Sequence, residues 1–306
     1  MPLFLSSGDV LADRRFDFAR DLLARGDAPG AADLLLQAIE LAPAFASAWF
    51  ALGEIRADRL NDRAGAIEAF QQARDADHSD RHGAGLRLMR LGASELDAMT
   101  PAYVTSLFDQ YAPRFEASLV GELGYRGPEL LRDAVLAVCA ADRPPRFAQV
   151  IDLGCGTGLV GRLFQPLAEM IVGFDLSAQM LAQARGSGAY ARLVQADLVE
   201  GLRGESSGSA DLVLAADVLI YIRDAAPLLR EAARVLKPGG LLAVTAETHA
   251  GEGVALTDGL RFAQSESYLR DELQRAGLQV ALVQPASARN EHQAPLPGLV
   301  AVAVKP

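Results

Sequence analysis

The chain has 306 residues, half of them apolar and 22% charged, which is enough to bury a sizeable core and to divide into two domains. Its net charge of −10, with lysine only at Lys237 and Lys305 and arginines scattered among acids, argues against nucleic acid as the main partner, because phosphate binding calls for a basic surface. Two cysteines, Cys139 and Cys155, cannot build a disulfide framework or a four-cysteine zinc site, and no metal centre is expected.

The N-terminal Met1-Pro2-Leu3-Phe4-Leu5 lacks the basic region and long apolar core of a signal peptide, and no apolar run reaches the ~18 residues of a membrane helix. A reduced, cytoplasmic protein without a membrane segment is expected. Residues 14–91 read as helices, with alanine and leucine at helical spacing and no β-branched runs. They contain an internal repeat: Gly30–Pro43 (GAADLLLQAIELAP) is echoed by Ala64–Asp77 (AGAIEAFQQARDAD). Between the two, Trp49, Leu52 and Gly53 follow the W-x2-L-G pattern. The region resembles about two tetratricopeptide repeats, which implies packing positions at Leu35, Ala38, Ala66, Phe70 and Ala73. A third helix near His82–Leu91 is expected to complete the core, since two repeats rarely bury enough alone.

Residues 92–100 read as a short linker. Tyr103–Leu119 (YVTSLFDQYAPRFEASL) is aromatic-rich in a chain with few aromatics, and Pro113 interrupts its helical pattern. Tyr103, Phe108, Tyr111 and Phe115 are either packing residues or a cover over a ligand. From Phe147 onward strand-like runs at 148–153, 170–175, 190–194, 211–216 and 240–246 alternate with helical stretches, the pattern of a parallel sheet covered on both faces. Runs at 278–284 and 298–304 are joined without a crossover helix and predict an antiparallel pair. The expected domains are 1–91 helical repeats, 92–145 linker and cover, and 146–306 α/β.

The first of these runs opens the most informative stretch, Val150–Gly161 (VIDLGCGTGLVG). An apolar strand ends in Asp152, and glycines at 154, 156 and 158 let ligand atoms lie directly on the backbone. Gly156–Gly161 also satisfies G-x-G-x-x-G, so a dinucleotide-binding oxidoreductase has to be weighed, although that motif alone is weak. Asp152 would repel a pyrophosphate but attract an ammonium. Later strands end in Asp175, placed for ribose hydroxyls, and in Ala196-Asp197, placed for an adenine amino group. Arg234–Gly240 (RVLKPGG) then closes a helix and turns into the fifth strand.

Taken together, residues 103–306 resemble the class I S-adenosylmethionine-dependent methyltransferases. With the N-terminal repeats, the whole is similar to a bacterial group of predicted methyltransferases that carry tetratricopeptide repeats. The resemblance implies a Rossmann-like seven-stranded sheet with an antiparallel last strand and S-adenosyl-L-methionine as cofactor. It also implies that Asp152 lies near the methionine ammonium, Gly154 and Gly156 give close approach, and Asp175 holds the ribose. Leu176 and Met180 would flank the adenine, Ala196 and Asp197 would bind it, Tyr111 would cover the sulfonium or the acceptor, and Asp217 would face both cofactor and acceptor. The other reading for Asp175 or Asp197 is a helix N-cap.

Candidates for a general base are Asp217, Glu247 and His249, with Tyr221 nearby; His249 has the most suitable ordinary pKa. The fourth strand reads LAADVL, without the Asn/Asp-Pro-Pro-aromatic element of enzymes that methylate nucleic acid bases. A small organic acceptor is therefore expected. Ser265, Ser267 and Tyr268 either shape its pocket or cap and underpin a late helix. A protein partner or homodimer through the repeats is also open, as is a repeat-based interaction protein whose cofactor site is vestigial.

Overall fold

The computed structural model describes residues 3–139, 145–291 and 294–306. Met1, Pro2, residues 140–144 of the expected linker and residues 292–293 of the last interstrand loop lie outside them. The chain forms two compact units, Met1–Leu107 and Phe108–Pro306, so the division falls inside the segment expected to link two domains.

The first unit is helical: α1 (Val10–Ala24), α2 (Ala28–Leu41), α3 (Ala46–Asp58), α4 (Arg63–Ala76) and α5 (Ala84–Arg90). Asp9, Asp27 and Asp62 accept N–H bonds from the first turns of α1, α2 and α4, satisfying donors that have no partner inside a helix. The helices pack in sequence, α1 on α2, α3 on α4 and α4 on α5. Leu35, Ala38, Ala66, Phe70 and Ala73 are all buried, and the Phe70 ring lies against Gly53, where a Cβ would come within 2.6 Å of it.

His82 is buried in this unit with its Nε2 3.1 Å from the Ser47 hydroxyl. Burial pushes its pKa down to about 4, although Asp77 pulls the other way. A folded-state value below the unfolded one means that stability is intact above about pH 6.5 and is lost as pH falls toward 4, by up to roughly 3 kcal/mol. His82→Gln is expected to flatten that part of the acid-unfolding profile, which denaturation at a series of pH values checks.

The second unit begins within α6 (Pro101–Tyr111), continues through a short 3-10 turn and a π-helical turn, and then forms α7 (Gly127–Cys139). Alternating elements follow: β1 (Phe147–Leu153), α8 (Leu159–Phe164), β2 (Ala168–Asp175), α9 (Ala178–Gly186), β3 (Arg192–Gln195), α10 (Leu198–Arg203), β4 (Ala210–Ala215), α11 (Ala226–Val235) and β5 (Leu236–Glu247). After them come β6 (Val254–Leu256), β7 (Phe262–Gln264), α12 (Glu266–Arg275), β8 (Gln279–Pro285), β9 (Asn290–Glu291), β10 (Ala294–Pro295) and β11 (Gly298–Val304).

The main sheet runs β3-β2-β1-β4-β5-β11-β8. β1 to β5 are parallel where they pair, and β11 is antiparallel to both β5 and β8, as the missing crossover helix predicts. The short hairpin β6–β7, joined to β5 at Glu247, was not expected: three-residue strands carry too little pattern to read. Side chains alternate across the sheet. Ile151, Leu153, Val213, Ala215, Leu242 and Val244 build one core with α10, α11 and α12, while Val150, Leu212, Leu214 and Ala243 build the other with α7 and α8. The order reverses at β1/β4, and the carboxyl ends of those strands are where an open α/β sheet presents its ligand crevice.

Candidate functional site

At that crevice Asp152 is the second-to-last residue of β1, and the chain turns through Gly154, Gly156 and Gly158, all with positive φ. Val218 packs against the Cα of Gly154, where a Cβ would meet its Cγ2 at 2.6 Å. The site of a Cβ on Gly156 is open, with nothing nearer than the Phe115 ring at 3.9 Å. The backbone at Gly156 therefore stays accessible.

Asp152 is 1% exposed. Its Oδ2 accepts from the Tyr190 hydroxyl at 2.6 Å, while Oδ1 is buried with no hydrogen-bond partner among the described residues. Burial pushes its carboxyl up to about 7; the Tyr190 hydrogen bond works against this and the charge of Asp175 adds to it. A buried carboxylate oxygen without a protein donor has capacity for one from an ordered water or a ligand. Sequence reasoning missed Tyr190. Its phenol also accepts from the Gly161 N–H at 3.2 Å, and its ring occupies the room left by Gly158, Gly161 and Gly173. Those three glycines are the signal that a large side chain fills the turn.

Asp175 is also buried. Its Oδ2 accepts from the Gly156 N–H at 2.9 Å and its Oδ1 from the Ser177 N–H at 2.8 Å. Each oxygen keeps a lone pair for further donors. Burial raises its pKa while the Ser177 and Gly156 N–H bonds oppose the rise. It is not an N-cap: Ser177 caps α9. Asp197 is exposed and does cap α10, its Oδ1 accepting from Val199 and Glu200. Leu176 is partly exposed, Met180 is fully buried, and the Ala196 N–H donates to the Asp175 carbonyl. Cys155 is buried, and burial pushes its thiol well up, so it is a space-filling residue.

Phe108–Ser118 lies beside this turn. Asp109 accepts from the Ser177 hydroxyl at 2.5 Å, the Ala112 carbonyl accepts from Gln183 at 2.5 Å, and Glu116 pairs with Arg162 at 2.8 Å. Tyr111 and Phe108 each pack against Phe115, and Phe108 meets Tyr221 edge to face at 5.2 Å. The segment is thus tied to the elements that flank the glycine turn.

At the ends of β4 and β5 lies a buried ion network. Arg289 bridges Asp217 through Nη1 and Glu247 through Nη2; Arg261 bridges Glu247 at 2.7 Å and Glu291 at 2.8 Å. Asp217 has φ of 54°, and its N–H donates to the Thr245 hydroxyl at 2.9 Å. Burial raises its pKa, Arg289 opposes this and Glu247 adds to it. The composition showed arginines scattered among acids, yet the fold gathers two of them here. Arg289 is held by a strip in which the Asn290 N–H bonds the Leu123 carbonyl and the Arg126 N–H bonds the Ala288 carbonyl, both at 2.8 Å. Tyr125, within that strip, has its hydroxyl raised well above its ordinary value by burial and by Asp217.

The remaining candidates are placed less centrally. His249 accepts from the Gly251 N–H at Nδ1 (3.1 Å), so Nε2 carries the proton and donates to the Gly253 carbonyl at 3.2 Å. Both ring nitrogens serve its own loop. Ser265 caps α12 and the Tyr268 hydroxyl accepts from the Ala225 N–H, the structural of the two roles expected. A cavity of about 500 Å³ is lined by Thr248, His249, Ser287, Leu296, Pro297 and Leu299 among others. Among the described residues no cluster of His, Cys, Asp and Glu suits a metal ion, and no helix is long and apolar enough to cross a membrane.

Tyr190→Phe removes the hydroxyl that donates to Asp152 Oδ2. It is expected to raise the Asp152 pKa further and to weaken ligand binding at neutral pH by about 1–2 kcal/mol, with less effect above pH 8, as calorimetric titration at two pH values would show.

A family model described as "Methyltransferase domain" matches residues 151–244. Methyltransferase-like protein 27 of Homo sapiens is 32% identical over 177 residues, covering 58% of this chain and 68% of that protein. The malonyl-(acyl-carrier protein) O-methyltransferase of Enterobacter lignolyticus is 34% identical over 142 residues, 46% of this chain and 52% of the enzyme, so the chain spans about half of that relative. Among solved structures, the 1,6-didemethyltoxoflavin-N1-methyltransferase of Burkholderia thailandensis, bound to 1,6-didemethyltoxoflavin and S-adenosylhomocysteine, has the same fold. Its TM-score is 0.53 at 19% identity, covering 69% of this chain and 93% of that one. The chain belongs to the S-adenosylmethionine-dependent methyltransferases.

Proposed function

We propose that the chain methylates a small organic acceptor, with the cofactor held by Asp152, Asp175 and the glycine turn. The observation that supports this placement most is the buried Oδ1 of Asp152, which has no hydrogen-bond partner among the described residues, at the head of an open glycine backbone. When bound, S-adenosylmethionine supplies a methyl group on a sulfonium, which leaves a neutral thioether. Asp152 would take the ammonium, Asp175 the ribose hydroxyls, Asp197 through its other oxygen the adenine amino group, and Leu176 with the turn around Met180 the adenine face. Gly154, Gly156 and Ala196 would line the cofactor, with Tyr111 and Phe115 covering it.

Asp217 would face the acceptor and accept its proton or hydrogen bond, held by Arg289 and by its own left-handed backbone. Glu247 would act with it through the same guanidinium. His249 would serve as a wall of the acceptor space, since its nitrogens are engaged. The groove beside it is open to solvent and lined by His249 together with Pro297 and Leu299, and would form the outer wall of that space. The acidic chain and a fourth strand without the Asn/Asp-Pro-Pro-aromatic element support a small acceptor over nucleic acid.

We also read the helical unit as tetratricopeptide-like repeats that serve association, supported by the buried repeat positions. Residues 92–145 would link and cover and 146–306 would carry the chemistry, in a reducing cytoplasm that suits two free thiols. Transfer of a labelled methyl group from S-adenosylmethionine to a fractionated metabolite extract tests the function. Label is expected in a low-molecular-weight product; label only in protein or RNA would contradict the acceptor class. Asp175→Asn can keep only one of the two backbone N–H bonds, because its NH2 cannot accept, and it loses charge toward the ribose; it is expected to weaken S-adenosylhomocysteine binding about 30-fold or more, measured by calorimetry.

A further inference from the structure

The outward face of α1 is formed by Val10, Leu11, Arg14, Asp17, Phe18 and Asp21, spaced at three, four and seven residues and therefore on one side of the helix. A solvent face is ordinarily polar, yet Val10 is 69%, Leu11 51% and Phe18 62% exposed. The inner face, Ala12, Phe16 and Ala19, is already buried, so these residues are not needed for packing within the unit. The charges between the apolar side chains are available too. Arg14 and Asp21 make no side-chain hydrogen bond or ion pair among the described residues, and Asp17 has only a loose contact with Arg20 at 3.7 Å.

We propose that this face pairs with the same face of a second copy of the chain, the two α1 helices running antiparallel about a two-fold axis near Arg14. This rests on reading the helical unit as an association module. Such a pairing sets Val10 and Leu11 of each copy against Phe18 of the other, and places each Arg14 guanidinium beside the partner copy's Asp17. The face carries both signs of charge between Val10 and Leu11 at one end and Phe18 toward the other, so an antiparallel copy sets apolar against apolar and Arg14 beside Asp17, as a two-fold interface requires.

Sedimentation equilibrium of the full chain from low to high micromolar concentration tests it. Wild type is expected to dimerise, and Phe18→Glu to raise the dimer dissociation constant at least about 30-fold. Phe18→Glu changes an exposed residue, so its circular dichroism and S-adenosylhomocysteine binding should match wild type. Arg14→Asp should weaken the dimer, and Arg14→Asp with Asp17→Arg should restore it. A wild-type chain that stays monomeric overturns self-association; a dimer indifferent to Phe18→Glu overturns this face while leaving self-association by another. Neither result bears on the methyltransferase site, whose ligand binding is measured separately.

Discussion

Asp152→Asn is expected to stabilise the cofactor-free chain at neutral pH and to cost it most of its affinity for S-adenosylmethionine. The carboxyl stands at about 7 in the folded chain against 3.8 as the ordinary value. A group raised on folding contributes stability that is fully present below its unfolded pKa and is lost as pH climbs through the folded one. Its ionisation therefore opposes folding between about pH 4 and 7, by at most roughly 4 kcal/mol. Asparagine still accepts from Tyr190 but buries a new amide hydrogen, which returns about 1–3 kcal/mol of that gain.

A net stabilisation of about 1–3 kcal/mol at pH 7.5, absent at pH 4, is the expected outcome of chemical denaturation. Binding should move the opposite way: the ammonium loses its charge partner, so affinity falls at least about 30-fold. In wild type the neutral carboxyl must release a proton to bind, so affinity should drop about tenfold per pH unit below 7. A variant that binds like wild type, or that is destabilised at pH 7.5, would remove Asp152 from the role given to it.

Arg289→Met should produce the largest loss of stability. Arg289 is almost fully buried between Asp217, just past β4, and Glu247, at the end of the adjacent β5, two carboxylates close enough to share one guanidinium. Removing it leaves Asp217 without a cation in a poorly hydrated site beside Glu247, which keeps Arg261, a change that costs about 3–5 kcal/mol. For a chain of this size that lowers Tm by about 10 °C. The cost should be strongly non-additive: combining Arg289→Met with Asp217→Asn removes the uncompensated charge and should recover much of the stability. If the single variant melted with wild type, the network would be a surface-like set of weak pairs and its role in holding Asp217 would fall with it.

The parts of this site that were legible in the sequence are local. The glycine turn, the carboxylates that end successive strands and the alternation of strand and helix each occupy a few adjacent residues and obey short-range rules. The antiparallel last strand was legible because a crossover helix was missing. Tyr190, Arg261 and Arg289 were not. Tyr190 reaches Asp152 across 38 residues, and Arg289 reaches Asp217 across 72. Nothing in the neighbourhood of Arg289 marks it, since its partners are supplied by strands that are brought together only in the sheet. His249 shows the converse failure: its residue type and its place after the fifth strand marked it, and local backbone bonds engage both of its nitrogens.

The most direct test of the cofactor site is a calorimetric titration of S-adenosylmethionine into the wild-type chain at pH 8, repeated at pH 6 and with NADH as a competitor. Micromolar binding at pH 8 that weakens about tenfold at pH 6, and that NADH does not displace, is the expected result. No binding, binding indifferent to pH, or displacement by NADH would contradict a site built on Asp152 and the glycine turn.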